Sequence, residues 1–272
     1  MYETYWGLRE KPFENTPDPR FLFRSREHEE GLTRLLYCVR ESKGAGILTG
    51  IFGCGKTLLS RVLMRELEHD VYRVALLVNP LLKPEELLLA LATQLGAQGL
   101  PTKRSELLTN AVLQALADVL EDNAKDGRRT VVIVDEAHTI EDPAVWEQLR
   151  LLLNAQRDDR FLLTLLLLGQ PELRARIQAN KPLAQRIALG CHLVGLSAEE
   201  TAAYIAHRLA VAGRAESPFT PEAVRLIHAK SGGIPRRINH LCDLALFTGY
   251  GGRITQLDEA SVRDVAEDLE AL

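Results

Sequence analysis

Glycines, a lysine and a threonine stand close together early in the chain, where residues 50–57 read GIFGCGKT. The segment fits the pattern GxxxxGK[ST], in which backbone N–H groups of a glycine-rich loop surround phosphate oxygens. In that pattern the lysine, here Lys56, reaches the β- and γ-phosphates, and the final hydroxyl, here Thr57, binds Mg²⁺. The sequence therefore predicts a site for ATP and Mg²⁺. The predicted nucleotide-binding residues of this segment are Gly50, Ile51, Phe52, Gly53, Cys54, Gly55, Lys56, Thr57 and Leu58.

The residues on either side of this segment have the pattern of a strand followed by a helix. The apolar run AGILT at 45–49 precedes the loop, and residues 56–68 have helical periodicity. Glycines permit positive φ in such a loop, and the N-terminus of the following helix attracts phosphate. The alternative interpretation is a glycine-rich strand-to-helix turn that binds nothing.

A second motif, VVIVDEAH, occupies residues 131–138. Its apolar residues predict a buried strand, and ligands bind beyond the carboxyl ends of strands in open α/β sheets. We expect Asp135 to hold Mg²⁺ through water, and Glu136 to orient and activate the water that attacks the γ-phosphate. The alternative is that both acids form a solvated helix cap.

His138 completes the tetrapeptide DEAH, which also occurs in helicases. A helicase of that kind needs a second sheet domain, and no such region is apparent in the sequence. We therefore interpret His138 as a polar loop or helix-cap residue and not as a metal ligand.

Short apolar runs alternate with longer segments of helical period, which is typical of a parallel sheet covered by helices. The pattern predicts an α/β fold, a P-loop NTPase three-layer αβα sandwich with a five-stranded parallel sheet. None of the five runs alternates with polar residues, so we expect every strand to be buried on both faces. The predicted strands are residues 45–49, 72–78, 130–136, 161–168 and 191–195, and the predicted helices are residues 26–41, 56–68, 84–95, 105–124, 143–156 and 171–177.

The strand signals stop near Ser197, and four amphipathic segments follow, opened by Ser, Thr-Pro, Pro or Asp and mostly closed by glycine. We expect two domains, a nucleotide-binding core with an N-terminal arm at residues 1–196 and a small all-helical lid at residues 197–272.

Composition narrows the function classes. The 272 residues are 46% hydrophobic and 26% charged, the balance of a globular protein, and the net charge of −4 gives no overall attraction for nucleic acid or an anionic membrane. The longest apolar run, from Phe161, is less than half the about 20 residues that span a bilayer, so we expect no membrane span. The start of the chain lacks the pattern of a secretory signal.

The four cysteines have no CxxC spacing, which argues against zinc or a disulfide framework and suits a reducing cytoplasm. They are Cys38, Cys54, Cys191 and Cys242.

With both motifs and the helical region placed, the chain resembles the AAA+ ATPases. More narrowly, it resembles the ExeA (general secretion pathway protein A) family and its TniB-like transposition relatives. The similarity extends over nearly the whole chain. The segments that carry it are YWGLREKPFENTPDPRFLF, LLLLGQPEL, LAQRIALGCHLVGLSAEETAAYIAHRL and GGIPRRINHLCDLAL.

The resemblance implies roles for three further residues. Gln170 takes the place of the residue that senses the γ-phosphate, although Asn or Thr is commoner there; its alternative role is a polar strand cap. Arg186 matches the arginine finger that reaches the nucleotide of a neighbouring subunit, with Arg174 and Arg176 as competitors and a surface salt bridge as the alternative. Arg236 matches the sensor arginine of the lid, in preference to the next residue, Arg237.

The N-terminal segment is rich in aromatic rings and prolines, and two interpretations of it stay open. In related ATPases such a segment lines the adenine pocket. Alternatively, the rings of Trp6, Phe13, Phe21 and Phe23 only pack the arm onto the core.

The resemblance also implies a homo-oligomer, a ring or a filament, that assembles with ATP. We expect a cytoplasmic ATPase that drives or regulates secretion or envelope export, peripheral to the inner membrane through a protein partner. One alternative is a DNA-dependent ATPase of the transposition type, which the net charge does not favour; another is a slow-hydrolysing nucleotide-gated switch. Longer relatives continue into a membrane span and a peptidoglycan-binding region, so a cell-wall role is in doubt for a sequence ending at residue 272.

Overall fold

The computed structural model describes residues 1–78, 80–100, 109–157 and 159–270. The chain divides into two compact units, and each is described by itself. The helical unit comprises Met1–His28, Phe52–Leu59 and Val194–Leu272, and the sheet unit comprises Glu29–Ile51 and Ser60–Leu193. The predicted domain boundary after residue 196 stays a prediction.

Among the described residues of the sheet unit there are five parallel strands, as the sequence predicts. They are β1 (Ala45–Gly50), β2 (Tyr72–Leu77), β3 (Arg129–Val134), β4 (Leu163–Gly169) and β5 (Ile187–Leu193). Their order across the sheet is β2-β3-β4-β1-β5, and each neighbouring pair is parallel. All five carboxyl ends therefore lie at one edge of the sheet, which we call the carboxyl edge.

Burial of the strands follows their position in the sheet. The inner strands β1 and β4 are buried at every residue, and β3 is buried at all but its first. Most residues of β2 and β5 are partly exposed. The prediction that all five strands are buried is therefore wrong for β2 and β5, because an edge strand has a neighbour on one side only. β5 also begins at Ile187, earlier than the predicted start at residue 191.

Helices pack against the sheet, with α3 on β2, α4 on β3 and α6 on β4. The α-helices that the structure describes before residue 197 are α1 (Arg26–Arg40), α2 (Lys56–Glu66), α3 (Pro84–Leu95), α4 (Thr109–Lys125), α5 (Pro143–Leu152), α6 (Glu172–Ala179) and α7 (Lys181–Ala184). α1 and α2 contain residues of both units. The predicted helix at 105–124 starts on residues that lie outside the described ones. The helix predicted to reach residue 156 ends at Leu152, and Gln156 instead forms an antiparallel bridge with Phe161.

The helical unit contains the four helices predicted after residue 197. They are α8 (Ala198–Val211), α9 (Pro221–Ser231), α10 (Pro235–Gly251) and α11 (Glu259–Glu270). α8 begins with a capping box, in which Ser197 Oγ accepts from Glu200 N–H at 3.1 Å and the Glu200 carboxylate accepts from Ser197 N–H at 3.0 Å. Because both residues of the capping box lie within four positions of each other, the start of α8 could be predicted from the sequence.

The N-terminal arm packs into the core of the helical unit. Trp6, Phe13 and Phe21 are buried there among residues of α8 to α11. The Trp6 indole donates to the Leu246 carbonyl at 2.8 Å, and Phe13 packs edge-to-face on Phe219. The rings therefore pack the arm within the helical unit, whereas the second interpretation of this segment has them pack the arm onto the nucleotide-binding core.

Candidate functional site

The glycine-rich loop within the helical unit depends on two glycines with positive φ. Gly53 has φ +86° and Gly55 has φ +94°, values that residues with a Cβ rarely adopt. A Cβ at Gly53 would also lie 2.8 Å from the Cβ of Arg236. The sequence expectation that glycines permit this backbone is confirmed at both positions.

Gly50 has a different structural reason to be glycine. It ends β1 in the sheet unit and does not have a positive φ. A Cβ there would lie 3.0 Å from both the Cβ and the carbonyl oxygen of Leu193 in the neighbouring strand β5. Close approach of the two strands, and not backbone conformation, therefore requires a small residue at this position.

Arg236 contacts the glycine-rich loop directly. This residue lies in the first turn of α10, and its backbone N–H donates to the Gly53 carbonyl at 3.3 Å. Its guanidinium carbon lies 4.5 Å from the centre of the Phe52 ring, a cation–π contact, although that ring is 59% exposed. Within the helical unit, the predicted sensor arginine is thus attached to the loop by backbone and side chain.

The loop has the features of an anion-binding site. Lys56 is the first residue of α2 and is only 4% exposed, and Thr57 follows it in the first helical turn. The N-terminus of an α-helix carries partial positive charge and N–H groups directed at a ligand. A nearly buried ammonium at that position adds a full positive charge, so the residues present fit a phosphate group.

Asp135 and Glu136 directly follow β3 at the carboxyl edge of the sheet unit. Asp135 is 1% exposed; its N–H donates to the Leu77 carbonyl at 2.8 Å, and its Oδ1 accepts from Glu136 N–H at 2.9 Å. Glu136 has φ 54° and ψ 32°, the left-handed region, which costs a residue with a Cβ about 1–2 kcal/mol. Non-glycine residues held in this region occur frequently at functional sites.

His138 lies between Glu136 and Gln170. Its Nε2 is 3.0 Å from Gln170 Nε2, and its Nδ1 is 3.3 Å from Glu136 Oε2. Gly169, which ends β4, lets the two segments approach, because a Cβ there would lie 3.1 Å from His138 N. The interpretation of His138 as a polar loop or cap residue did not predict its contacts with Glu136 and Gln170. The DEAH tetrapeptide draws attention to His138 in the sequence, but the contact with Gln170 depends on the pairing of β3 with β4.

Strand order decides which of these residues are neighbours. β4 lies between β1 and β3, and neighbouring strands are about 4.8 Å apart. Along the carboxyl edge, Gly50 is therefore the last residue of β1, and Gln170 and Asp135 directly follow the adjacent strands β4 and β3. These are the first residue of the GxxxxGK[ST] segment, the predicted phosphate sensor and the predicted metal ligand.

Arg186 lies at the edge of the sheet formed by the amino-terminal ends of the strands, opposite the carboxyl edge. It immediately precedes β5, and its guanidinium donates to the Arg150 carbonyl at 3.0 Å and to Asn154 Oδ1 at 2.6 Å. Of its two competitors, Arg176 donates to the Ile140 carbonyl at 2.7 Å, and Arg174 is exposed on α6. The sheet therefore separates Arg186 from Gln170, Asp135 and Glu136 of the same chain.

Within the residues that the structure describes, no group of three or more His, Cys, Asp or Glu side chains could hold a metal ion. Mg²⁺ does not need such a group, since it is usually bound by one or two carboxylates with substrate phosphates and water, and Thr57 and Asp135 offer the oxygen ligands it prefers. Across the same residues, none of the helices has the length and apolar character of a transmembrane segment.

Comparison with protein families places residues 39–177, slightly more than half of the chain, in the AAA domain family. General secretion pathway protein A of Aeromonas hydrophila is 40% identical over 256 residues. The match covers 92% of this chain and 45% of that protein, so the chain spans about half the length of this curated relative.

Solved structures show the same fold at low sequence identity. The ORC2 protein of Aeropyrum pernix, in ADPNP–ADP complexes, is 19% identical with a TM-score of 0.67, over 92% of this chain and 69% of that one. The ORC1 protein of the same organism, in complex with DNA, is 16% identical with a TM-score of 0.72, over 96% and 70% of the two chains. At these identities the similarity establishes the fold alone.

Proposed function

Since the chain belongs to the AAA domain family of ATPases, we propose that it binds ATP with Mg²⁺ and hydrolyses ATP in an assembly of several copies. The observation that carries the proposal is the order of residues along the carboxyl edge. The GxxxxGK[ST] segment, Gln170 and Asp135–Glu136 begin at the ends of three adjacent strands. Ligands of open α/β sheets bind at this edge.

In the proposed reaction, residues 50–58 bind the phosphates. N–H groups of the loop and of the first turn of α2 donate to phosphate oxygens, and the Lys56 ammonium neutralises the β- and γ-phosphates. Thr57 and Asp135 are the proposed ligands of Mg²⁺, which when bound offsets the negative charge that develops on the phosphate oxygens. The high burial of Lys56 and Asp135 supports these roles, because charges removed from water interact more strongly.

Glu136 is the proposed general base. Its carboxylate would accept a proton from the attacking water as the water oxygen bonds to the γ-phosphorus. The bond from that phosphorus to the β–γ bridging oxygen breaks, which releases ADP and phosphate, and the Gln170 amide would donate to a γ-phosphate oxygen. The position of His138 supports a linked role for these two residues, because it contacts both side chains. Arg236 is the proposed lid sensor, and its contacts with Gly53 and Phe52 support a role at this loop.

Arg186 is proposed to act on a neighbouring copy. Its position at the amino-terminal end of β5 supports this, since it cannot serve a nucleotide at the carboxyl edge of its own sheet. A guanidinium donated in this way stabilises transition-state charge through two hydrogen bonds. The resulting contact is head-to-tail, which gives a ring if it closes and a filament if it does not.

For the biological role, we propose an ATPase of the cytoplasm that drives or regulates secretion or envelope export through a membrane-associated protein partner. The 40% identity with general secretion pathway protein A supports this role over the transposition-type alternative. The net charge of −4 also disfavours DNA as an activator.

The test measures ATP binding by calorimetry and phosphate release by the wild-type chain, Lys56→Ala and Glu136→Gln, each with and without duplex DNA. We expect Lys56→Ala to lose binding. Glu136→Gln should bind ATP, but its rate of hydrolysis should fall by about 100-fold or more, the usual contribution of a general base. Absence of ATP binding by the wild type would refute the proposal, and unchanged turnover of Glu136→Gln would refute the role of that residue. Strong salt-sensitive stimulation by DNA would favour the transposition-type function.

A further inference from the structure

His28 is a buried histidine in contact with the glycine-rich loop of the helical unit. It is 5% exposed, and its Nε2 lies 2.9 Å from the carbonyl oxygen of Cys54. Its Nδ1 lies 2.7 Å from Ser25 Oγ. We propose that His28 is a positioning residue for ATP, because its hydrogen bond to Cys54 fixes the orientation of the phosphate-binding loop. The inference rests on the proposed nucleotide binding.

The partners of His28 define its tautomer. A carbonyl oxygen only accepts, so Nε2 must carry the proton that it shares with Cys54. In the neutral ring Nδ1 is then an acceptor, and it takes the hydroxyl hydrogen of Ser25. Ser25 Oγ in turn accepts from the His28 backbone N–H at 3.3 Å, so the start of α1 fixes the position of the ring.

Because the peptide unit is planar, the hydrogen bond from His28 to the Cys54 carbonyl also sets the direction of the next N–H group, which faces the proposed ligand. In a trans peptide the carbonyl and the N–H point in opposite directions. With the Cys54 carbonyl directed at His28, the N–H of Gly55 points away from the ring. The same holds one residue earlier, where the Gly53 carbonyl accepts from Arg236 N–H and the N–H of Cys54 must point away from α10. Concave anion sites in proteins are built from successive backbone N–H groups of this kind.

The space around Gly55 supports this arrangement. A Cβ at Gly55 would lie 3.0 Å from His28 Nε2, so ring and loop are in close contact. Burial lowers the pKa of His28 below its usual value, which favours the neutral ring that the tautomer requires. Glu27 and Glu200 are the charged groups that oppose this shift, together with the hydrogen bond to Cys54.

Two substitutions separate the bond to Cys54 from the general packing of the ring. In His28→Gln the side-chain amide nitrogen can reach the position of Nε2 and donate to Cys54. In His28→Asn the shorter amide reaches only the position of Nδ1, beside Ser25. ATP affinity is measured by calorimetry in the presence of Mg²⁺, with thermal unfolding as the control for folding.

We expect His28→Asn to bind ATP about tenfold more weakly, since the buried Cys54 carbonyl loses its donor, and His28→Gln to stay within about threefold of the wild type. Equal losses in both variants, or no loss in His28→Asn, would overturn the inference. If the wild type itself binds no ATP, the proposed function is wrong and this inference with it; ATP binding with no effect of His28→Asn refutes this inference alone.

A measurement on the wild type serves if His28→Asn does not fold. Nitrogen-15 spectra of the histidine rings report which ring nitrogen is protonated. We expect a neutral His28 with its proton on Nε2 at pH 7.5. A neutral ring protonated on Nδ1 could not donate to the Cys54 carbonyl and would overturn the inference.

Discussion

Substitution of Arg186 by Ala tests whether the catalytic arginine comes from a neighbouring copy. Pairing of the strands sets Thr49 beside Gly169 and Ala45 beside Ile187. Gln170 and Arg186 lie one residue beyond these pairs, so they are about six residues, or about 20 Å, apart along the strands. The side chain of an arginine is far shorter than this distance. Arg186 therefore cannot reach a γ-phosphate beside Gln170 of its own chain.

We expect Arg186→Ala to keep its affinity for ATP and to lose about 10³-fold or more in kcat, as for other arginines that act between subunits. The assay is phosphate release at saturating ATP over a range of protein concentrations, with calorimetry for binding. Arg176→Ala is a matched control, because Arg176 also donates to a backbone carbonyl of its own chain. Its turnover should change little.

Mixing two inactive variants gives the decisive measurement. Glu136→Gln retains Arg186, and Arg186→Ala retains Glu136, so a complete site forms where the first variant donates its arginine to the second. Random assembly of equal amounts should restore about one quarter of the wild-type activity, since half of the sites are competent and half of their donors carry the arginine. No recovery in assemblies of confirmed mixed composition, or full activity of Arg186→Ala alone, would refute the reasoning.

Two further predictions concern the loop and pH. Gly53→Ala should lower the free energy of unfolding by about 1–2 kcal/mol or more, because an alanine is strained at φ +86° and its Cβ would contact Arg236 of α10. Gly127→Ala is the control. Gly127 has φ +74° and no atom within 4 Å of an added Cβ, so this variant should show the effect of backbone strain alone. If denaturant titrations give equal losses in the free energy of unfolding for the two variants, the contact of the added Cβ with α10 has no energetic effect and the prediction is wrong. Because the pKa of His28 is lowered in the folded chain, the unfolded chain takes up a proton first as pH falls below about 6.5. Stability should therefore be full above that pH and decline below it, with a smaller decline in His28→Gln. Burial also lowers the pKa of His207, so that variant should keep part of the slope, and an identical slope would contradict the prediction.

Several features were decided by short stretches of sequence. The GxxxxGK[ST] segment and its following helix, the two acids after an apolar run, and the capping box at Ser197 all involve residues within a few positions of one another. The five strands were predictable for the same reason, since runs of buried β-favouring residues are local. The AAA resemblance, carried by such segments, is confirmed by the match of residues 39–177.

Pairing between distant segments decided the rest. The strand order makes β2 and β5 edges and places Gln170 between β1 and β3, and no local pattern reports which runs become neighbours. His138 reaches Gln170 across 32 residues, and His28 reaches Cys54 across 26. Neither contact has a sequence signature, because both depend on which elements pack together. The sequence by itself determined which groups are available for phosphate chemistry. Tertiary packing decided which side chains fix the positions of those groups, because hydrogen bonds act over about 3 Å in space whatever the separation along the chain.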